Sequence, residues 1–416
     1  MSAESWADGP MGDVAHVEMG QSPPSEFVSA DASRGVAFLQ GNAEFTEQFP
    51  RPRLWCTRPA KMAKEGDALI SVRAPVGALN RADTDYCIGR GLAAVRFTGL
   101  DPDFGYHALA RFSVALQRMA QGTTFEAVGG QQLRELVLPR CSWPEQERIA
   151  EILDTADEAI RETEQVIAKL KTMKQGILRD LLTRGVNENG ELRDPEQHQE
   201  QFKDSPLGRI PVEWEVMSLA TCCARVVDCP HSTPRYLTEG VLVARTQHIR
   251  DGRFDSEGAS RVSETEYKQR IARLEPSSGD VIFTREAPVG EAFVIPTGMR
   301  ICLGQRVMLL RPEKEQLDGR YLVAQIYSGA VRRRISQLTG GTTNPHLNVS
   351  EVKSFTLPVP RFQEQIRIAD LLDAFDDRFD RERYELAKLR SLKLGLMNDL
   401  LTGRVRTIRL QDEAVA

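Results

Sequence analysis

Two stretches of the chain, GILRDLLTRGV at residues 176–186 and GLMNDLLTGRV at residues 395–405, are near copies set 219 residues apart (395 minus 176). Glycine, aspartate, two leucines, threonine and valine recur at matching places in both. The likeness runs upstream. PEQERIAEILDTAD (144–157) matches FQEQIRIADLLDAFD (362–376) at the same offset, with Glu145 on Glu364, Gln146 on Gln365, Arg148 on Arg367 and Ala150 on Ala369. Earlier still, LVLPR (136–140) answers FTLPVPR (355–361), and GTTFEAVGGQQL (122–133) answers GTTNPHLNVSEV (341–352). GDALISVRAPVG (66–77) and CIGRGLAAVRF (87–97) likewise answer GDVIFTREAPVG (279–290) and CLGQRVMLLRP (302–312). The order is the same in both halves, so one module of about 200 residues is written twice, and any fold must accommodate two copies of one plan.

Each module has two textures. The first part is short β-branched runs bounded by Gly, Pro, Asp and Asn, which read as strands, with helical stretches at 103–121 and 317–338. The second is a long polar helix with an apolar seam at alternating steps of three and four. The seam falls on Leu153, Ile160, Ile167, Leu170, Ile177 and Leu181 in the first copy, and on Leu372, Phe379, Leu386, Leu389, Leu396 and Leu400 in the second. That spacing predicts a coiled coil; a helix packed on its own domain is the alternative. The expected class is α+β: two similar strand-rich α/β domains (1–143 and 207–361), two helical regions (144–185 and 362–405), a polar linker (186–206) and a tail (406–416). If the helices ran parallel, the linker would have to return about 58 Å. Antiparallel helices place the end of one beside the start of the other, so an antiparallel coiled coil with pseudo-twofold symmetry is expected.

Composition narrows the class. Apolar content of 41% and charged content of 27% suit a folded domain protein. No apolar run approaches the ~18 residues of a membrane span. The first residues have no basic and apolar leader pattern, so a cytoplasmic location is expected. The net charge is −5, with 14 Lys+Arg against 16 Asp+Glu in residues 1–140 and 21 against 17 in 207–361, so only a local patch such as Arg332, Arg333 and Arg334 is basic. Seven scattered cysteines contain no CxxC pair and read as reduced thiols. CCARVVDCPH (222–231) has no usual zinc spacing, and no metal is expected. No phosphate-binding GxxxxGK[ST] loop and no HExxH is present. NPHL (344–347) lacks the second proline and the aromatic of an amino-methyltransferase loop, and SEVK (350–353) lacks the Pro-Asp of a nuclease site.

The duplicated order resembles the specificity subunit of type I restriction-modification systems. The residues carrying that resemblance are GDVAHVEMGQSPPS (12–25), IPVEWEVMSL (210–219), DCPHSTPRY (228–236), the two GD…APVG segments, the GTT before each helix, LPRCSWPEQERIAEIL and LPVPRFQEQIRIADLL, and both DLLT ends. The resemblance implies two target-recognition domains that read the halves of a bipartite site in double-stranded DNA, and no catalytic centre. It implies DNA adenine methyltransferase subunits as partners, two of them, and restriction/translocase subunits. No cofactor would be bound directly: S-adenosylmethionine, and ATP and Mg for restriction, would serve the partners. It places partner docking on the outward helix faces or at the junctions, where Glu145, Gln146, Arg148 and their twins lie; helix capping and solvation explain those residues equally well. A coiled-coil protein-binding scaffold and the specificity subunit of a related type II system are the alternatives.

Base readout needs polar side chains on loops between strands. The candidates are Gln40 and Asn42 in LQGNAEF (39–45), and Arg245, Gln247 and His248 in ARTQHIRDGRF (244–254), at the same place in the two modules. Thr123, Thr124, Thr342 and Thr343 of the GTT loops could offer hydroxyls to phosphate, or only turn chemistry. Arg73 and Arg285 read as one register, and Arg332–Arg334 as a phosphate patch or a solvated helix face.

Overall fold

In each copy the first strand pairs antiparallel with the strand just ahead of the long helix: Ala7–Pro10 with Val137–Arg140, and Glu215–Ser218 with Thr356–Val359. The pairing returns the end of each strand-rich domain to its beginning. The computed structural model describes residues 6–120, 127–327, 329–341 and 345–407, apart from the side chains of 114–120 and 329–330. The chain divides into two units, Met1–Val166 with Glu382–Ala416, and Ile167–Arg381.

The first unit holds strands β1 (Ala15–Met19), β2 (Val36–Leu39), β3 (Ala68–Ser71), β4 (Leu79–Arg81), β5 (Tyr86–Ile88) and β6 (Leu92–Phe97). One antiparallel sheet has the order β1-β6-β3-β4, and a second sheet contains β2 and β5 as a parallel pair. The second unit repeats the plan with β7 (Cys223–Asp228), β8 (Val241–Ala244), β9 (Val281–Thr284), β10 (Ala292–Val294), β11 (Ile301–Leu303) and β12 (Val307–Pro312). Its main sheet runs β7-β12-β9-β10, and β8 lies parallel to β11. The repeated GD motifs serve this frame. Asp67 is buried and binds Arg96 through two hydrogen bonds of 2.8 and 2.7 Å, and Asp280 binds Arg311 through two of 2.8 and 2.7 Å. Bidentate pairs of this kind fix two neighbouring strands in register.

The long helices run Trp143–Thr183 and Phe362–Leu400. In the first unit Lys393 pairs with Asp157 and Arg390 with Glu164; in the second Lys174 pairs with Asp376. Within the first unit one number falls as the other rises, so the helices are antiparallel there. Lys174/Asp376 is the copy of Lys393/Asp157 under the 219-residue offset, with donor and acceptor helices exchanged. Packing on the helix's own domain holds only at the helix starts, Leu153 and Leu372; at the helix ends Leu181 and Leu400 enter the core of the other copy's domain. Leu153 and Leu400 are buried in the core of the first unit, with Ile70, Val95 and Phe104, while Leu181 and Leu372 join Phe283, Tyr321 and Phe355 in the second. Leu170 is also buried, whereas Ile160, Ile167, Ile177, Phe379, Leu386, Leu389 and Leu396 are half-buried. The seam ends are thus domain core and its middle is the helix pairing. No helix among the described residues is long and apolar enough to cross a membrane.

The junction glutamates and glutamines turn inward, whereas Arg148 is exposed and pairs with Glu151 along its own helix. Gln146 accepts from the Asp101 N–H at 2.8 Å and donates to the Cys141 carbonyl; its twin Gln365 accepts from the Asp318 N–H at 2.9 Å. Asp101 and Asp318 in turn cap the following helices by accepting from the Phe104 and Tyr321 N–H groups. Glu145 takes two hydrogen bonds of 2.7 Å from Arg406. Glu364 takes bonds from Arg193 at 2.5 and 3.2 Å, from the Trp214 indole N–H at 3.2 Å and from the Val186 N–H at 3.0 Å. Arg193 belongs to the polar segment 186–206, which is tied down by this contact and by the hairpin of Phe202–Ser205 with Gly208–Pro211. A glycine just past each helix end completes the closure. Gly185 (φ +65) and Gly403 (φ +68) take the left-handed turn past each helix end, and a Cβ there would stand 2.4 Å from Trp214 and 2.7 Å from Trp6.

Glu364→Ala leaves the Arg193 guanidinium, only 13% exposed, with no counter-charge and only the Arg184 carbonyl at 3.3 Å to accept from it, and leaves the Trp214 indole without its acceptor. The loss expected is about 3–5 kcal/mol, seen as a lower urea midpoint for the second unit. Glu145→Ala is expected to cost less, because Arg406 is 29% exposed and can be solvated.

Candidate nucleic-acid interface

Four loops meet at one end of the sheets in each unit, and two of the backbone hydrogen bonds that hold them recur in both. In the first unit the Gly89 N–H donates to the Leu39 carbonyl at 2.8 Å, so the turn after β5 lies against the loop after β2. The approach is close: a Cβ on Gly91 would stand 2.7 Å from the Gln40 carbonyl oxygen. The Gln21 N–H donates to Ile88 and the Arg90 N–H to the Ser22 hydroxyl, which brings in the loop after β1. The Val72 N–H donates to Gly91, which brings in the APVG turn with Arg73. In the second unit Gly304 donates to Ala244 at 2.8 Å and Arg285 to Arg306 at 3.0 Å, and the Gln305 amide reaches the His231 carbonyl at 3.5 Å.

The frame is shared and the side chains on it are not. Gln40, Gln21, Ser22, Arg73 and Arg90 are exposed in the first unit; Asn42 begins the short 3-10 turn Asn42–Glu44 and is half-buried. Neither Arg73 nor Arg90 has an ion-pair partner among the described residues. In the second unit Arg306 is exposed and faces Glu286 at 3.4 Å. Gln247 is exposed, whereas Arg245 is half-buried, lies 4.6 Å from the Tyr236 ring and donates to Ser260. Arg332 donates to the Gly290 carbonyl at 3.4 Å and so stands beside the APVG turn; Arg333 is exposed on the same helix, and Arg334 donates to Gln337. Thr123, Thr124, Thr342 and Thr343 lie outside the described residues.

Two expectations change. Arg73 and Arg285 do not share a register: Arg73 bridges Ala127 and Glu286 bridges His346, so Arg73 corresponds to Glu286 and Arg285 to Val72. The one-residue step moves the side chain to the other face of the strand. Arg285 is accordingly half-buried between Asp228 and Glu286 at 3.4 and 3.3 Å. His248, taken as a polar contact, is buried with its ring edge-on to Phe254. Burial first, and then the Arg245 charge, hold its pKa below the ordinary histidine value against the pull of Asp255. Gln21, Ser22, Arg90, Gln305 and Arg306 escaped the sequence reading, although the twin CIGRG and CLGQR segments mark their turn.

One further polar group lies away from these loops. His107 is fully buried; its Nε2 is 2.8 Å from Asp154 and its Nδ1 is 4.0 Å from Asp157. The three ligand atoms would fall within 4.8 Å of one another. Arg81 and Lys393 already neutralise these carboxylates, so a divalent cation would sit beside two positive charges. Burial raises the Asp154 carboxyl, but the His107 hydrogen bond and the His107 and Arg81 charges outweigh it and hold it below the usual range. The group joins the Pro102–Ala120 helix to both long helices as an ion-pair network.

Comparison with known proteins gives the family. The family model for the type I restriction modification DNA specificity domain matches residues 3–172 and 251–390. A putative type I restriction enzyme MjaX specificity subunit of Methanocaldococcus jannaschii is 28% identical over 277 residues, 66% of this chain and 60% of that one. The MjaVIII specificity subunit of the same organism is 25% identical, covering 75% of this chain and 72% of its own length. The EcoBI specificity subunit of Escherichia coli is 21% identical, over 73% and 65%. Among solved structures, the type I restriction-modification S subunit from M. genitalium superposes with a TM-score of 0.61 at 15% identity, covering 96% of both chains. A chain from a structural study of complex assembly and conformational transition of the type I R-M system gives 0.57 at 17%, covering 96% of this chain and 99% of that one. With the family model matching both copies of the module, the chain belongs to the type I restriction modification DNA specificity family.

Proposed function

We propose that this chain reads a bipartite, asymmetric site in double-stranded DNA on behalf of a type I restriction-modification complex. Each strand-rich domain takes one half-site through the loop end described above. The paired helices set the separation of the halves, and two DNA adenine methyltransferase subunits dock on the helical region. Methyl transfer from S-adenosylmethionine, and ATP- and Mg-dependent restriction, belong to the partner subunits. The observation that carries this reading is one backbone frame presenting different polar side chains. Gln40 stands where Arg245 stands, Arg90 where Gln305 stands, and Gly91 where Arg306 stands. Two half-sites of different sequence call for such a pair of loop ends. Glu145, Gln146, Glu364 and Gln365 are occupied internally, so docking falls to exposed helix positions instead; Tyr384 is 74% exposed and Leu392 55%.

Two outcomes test this. The full-length chain, alone or with its methyltransferase partner, should recover one asymmetric two-part motif from a pool of random duplexes; a motif-free pool rejects DNA reading and favours a scaffold. Arg73→Ala and Arg333→Ala should each lower the slope of log affinity against log salt by roughly one unit, uniformly across sequences. Thermal stability should be unchanged, because both side chains are exposed.

A further inference from the structure

We propose that Gln247 reads an adenine in the second half-site, and that His248 acts as a positioning residue by holding the Gln247 amide in one orientation. The inference rests on the DNA-reading function above and deepens it by assigning a base to a residue. Gln247 and His248 share the 3-10 turn Thr246–His248 at the end of β8. Gln247 is exposed at the loop end, and its Nε2 lies 3.0 Å from His248 Nε2.

The imidazole is fixed in place. Its backbone N–H donates to the Arg245 carbonyl at 3.0 Å, and its carbonyl accepts from the Asp255 N–H at 2.8 Å. Its ring meets Phe254 edge-on at 6.2 Å, and Phe254 is stacked on Phe293 at 4.9 Å. The charged groups acting on the ring are Arg245, from its own loop, and Asp255, from the hairpin that follows. Burial and Arg245 outweigh Asp255 and the Val243 carbonyl, which favours the neutral ring. In the proposed arrangement Nε2 accepts the Gln247 N–H and the His248 proton sits on Nδ1, which is buried with no hydrogen-bond partner among the described residues.

That bond decides what Gln247 shows to solvent. One N–H is committed inward, leaving one N–H donor beside the Oε1 acceptor. Adenine offers the complement in the major groove, an N7 acceptor beside the N6 amino donor. Guanine offers two acceptors, and its O6 would face Oε1 lone pair to lone pair. Arg245 cannot substitute, since its guanidinium is held on Tyr236 and Ser260. The first unit has no such device: Asn42 is followed by Ala43, so nothing equivalent fixes its amide.

The test is selection from random duplexes by the full-length chain, repeated with Gln247→Ala and His248→Phe and over a range of pH. Wild type should select adenine at one position of one half-site. Replacing that base by 7-deazaadenine should weaken binding roughly ten- to one-hundredfold. Gln247→Ala should lose the preference at that position alone, leaving the other half-site unchanged. His248→Phe, which keeps the ring and removes the acceptor, should admit guanine beside adenine. Acidification through and below the histidine range should do the same in the wild type, because an imidazolium Nε2–H can bond only Oε1 and turns the amide over. Retention of the adenine preference by Gln247→Ala overturns the assignment while DNA reading stands. A preference insensitive both to pH and to His248→Phe overturns the positioning role. Absence of any motif from wild type rejects the underlying function instead.

Discussion

Glu145 and Glu364 lie in the first turns of the two long helices, nearly inaccessible to water, and the cation that neutralises each comes from the segment following the end of the other helix. A carboxylate so placed is tolerable only with its partner in position, because an unpaired buried charge costs several kcal/mol. The pairs therefore act as conditions on the fold: each strand-rich domain is complete only when the far end of the opposite helix has arrived. The neighbouring glutamines extend the condition to the helix caps at Asp101 and Asp318. Everything at the loop ends is held on a frame closed in this way.

That frame and the loops on it obey different constraints. Asp67–Arg96 and Asp280–Arg311 clamp equivalent strands with nearly the same distances, and Gly89 and Gly304 make the same backbone bond. Most side chains at the turns between these fixed points, Gln21, Gln40, Arg73 and Arg90 among them, are exposed and can differ between the units; Arg245, packed on Tyr236, is the exception. A Gln in one place and an Arg in the other cost the fold little and change the donor and acceptor pattern offered to a base edge.

Much of this was legible before any coordinates. The duplication and the two textures follow from the repeat offset and the seam spacing, and the antiparallel helices from the reach of the linker, because period, order and length survive in one dimension. The ends of the seam were ambiguous for a physical reason: Leu153, Leu181, Leu372 and Leu400 satisfy a coiled-coil pattern and a domain core together. The site was read less well. Arg73 and Arg285 belong to the same motif but stand one position apart, Arg73 opposite Glu286 and Arg285 opposite Val72, a step already present in the aligned segments. Arg193 looks like a linker charge until Glu364 is found beside it. His248 is polar by type and apolar by place. The last two depend on partners distant in sequence or on burial, which no local pattern encodes.

The crossed closure also imposes an order on synthesis. The second unit is one unbroken stretch, Ile167–Arg381, whereas the first is split, its beginning separated from residues 382 onward by that whole stretch. Glu145 waits 261 residues for Arg406, while Arg193 emerges 171 residues ahead of Glu364. On a ribosome the half encoded second is thus finished first, and the half encoded first stays open, with Leu153 and its neighbours uncovered, until the last helix has been released.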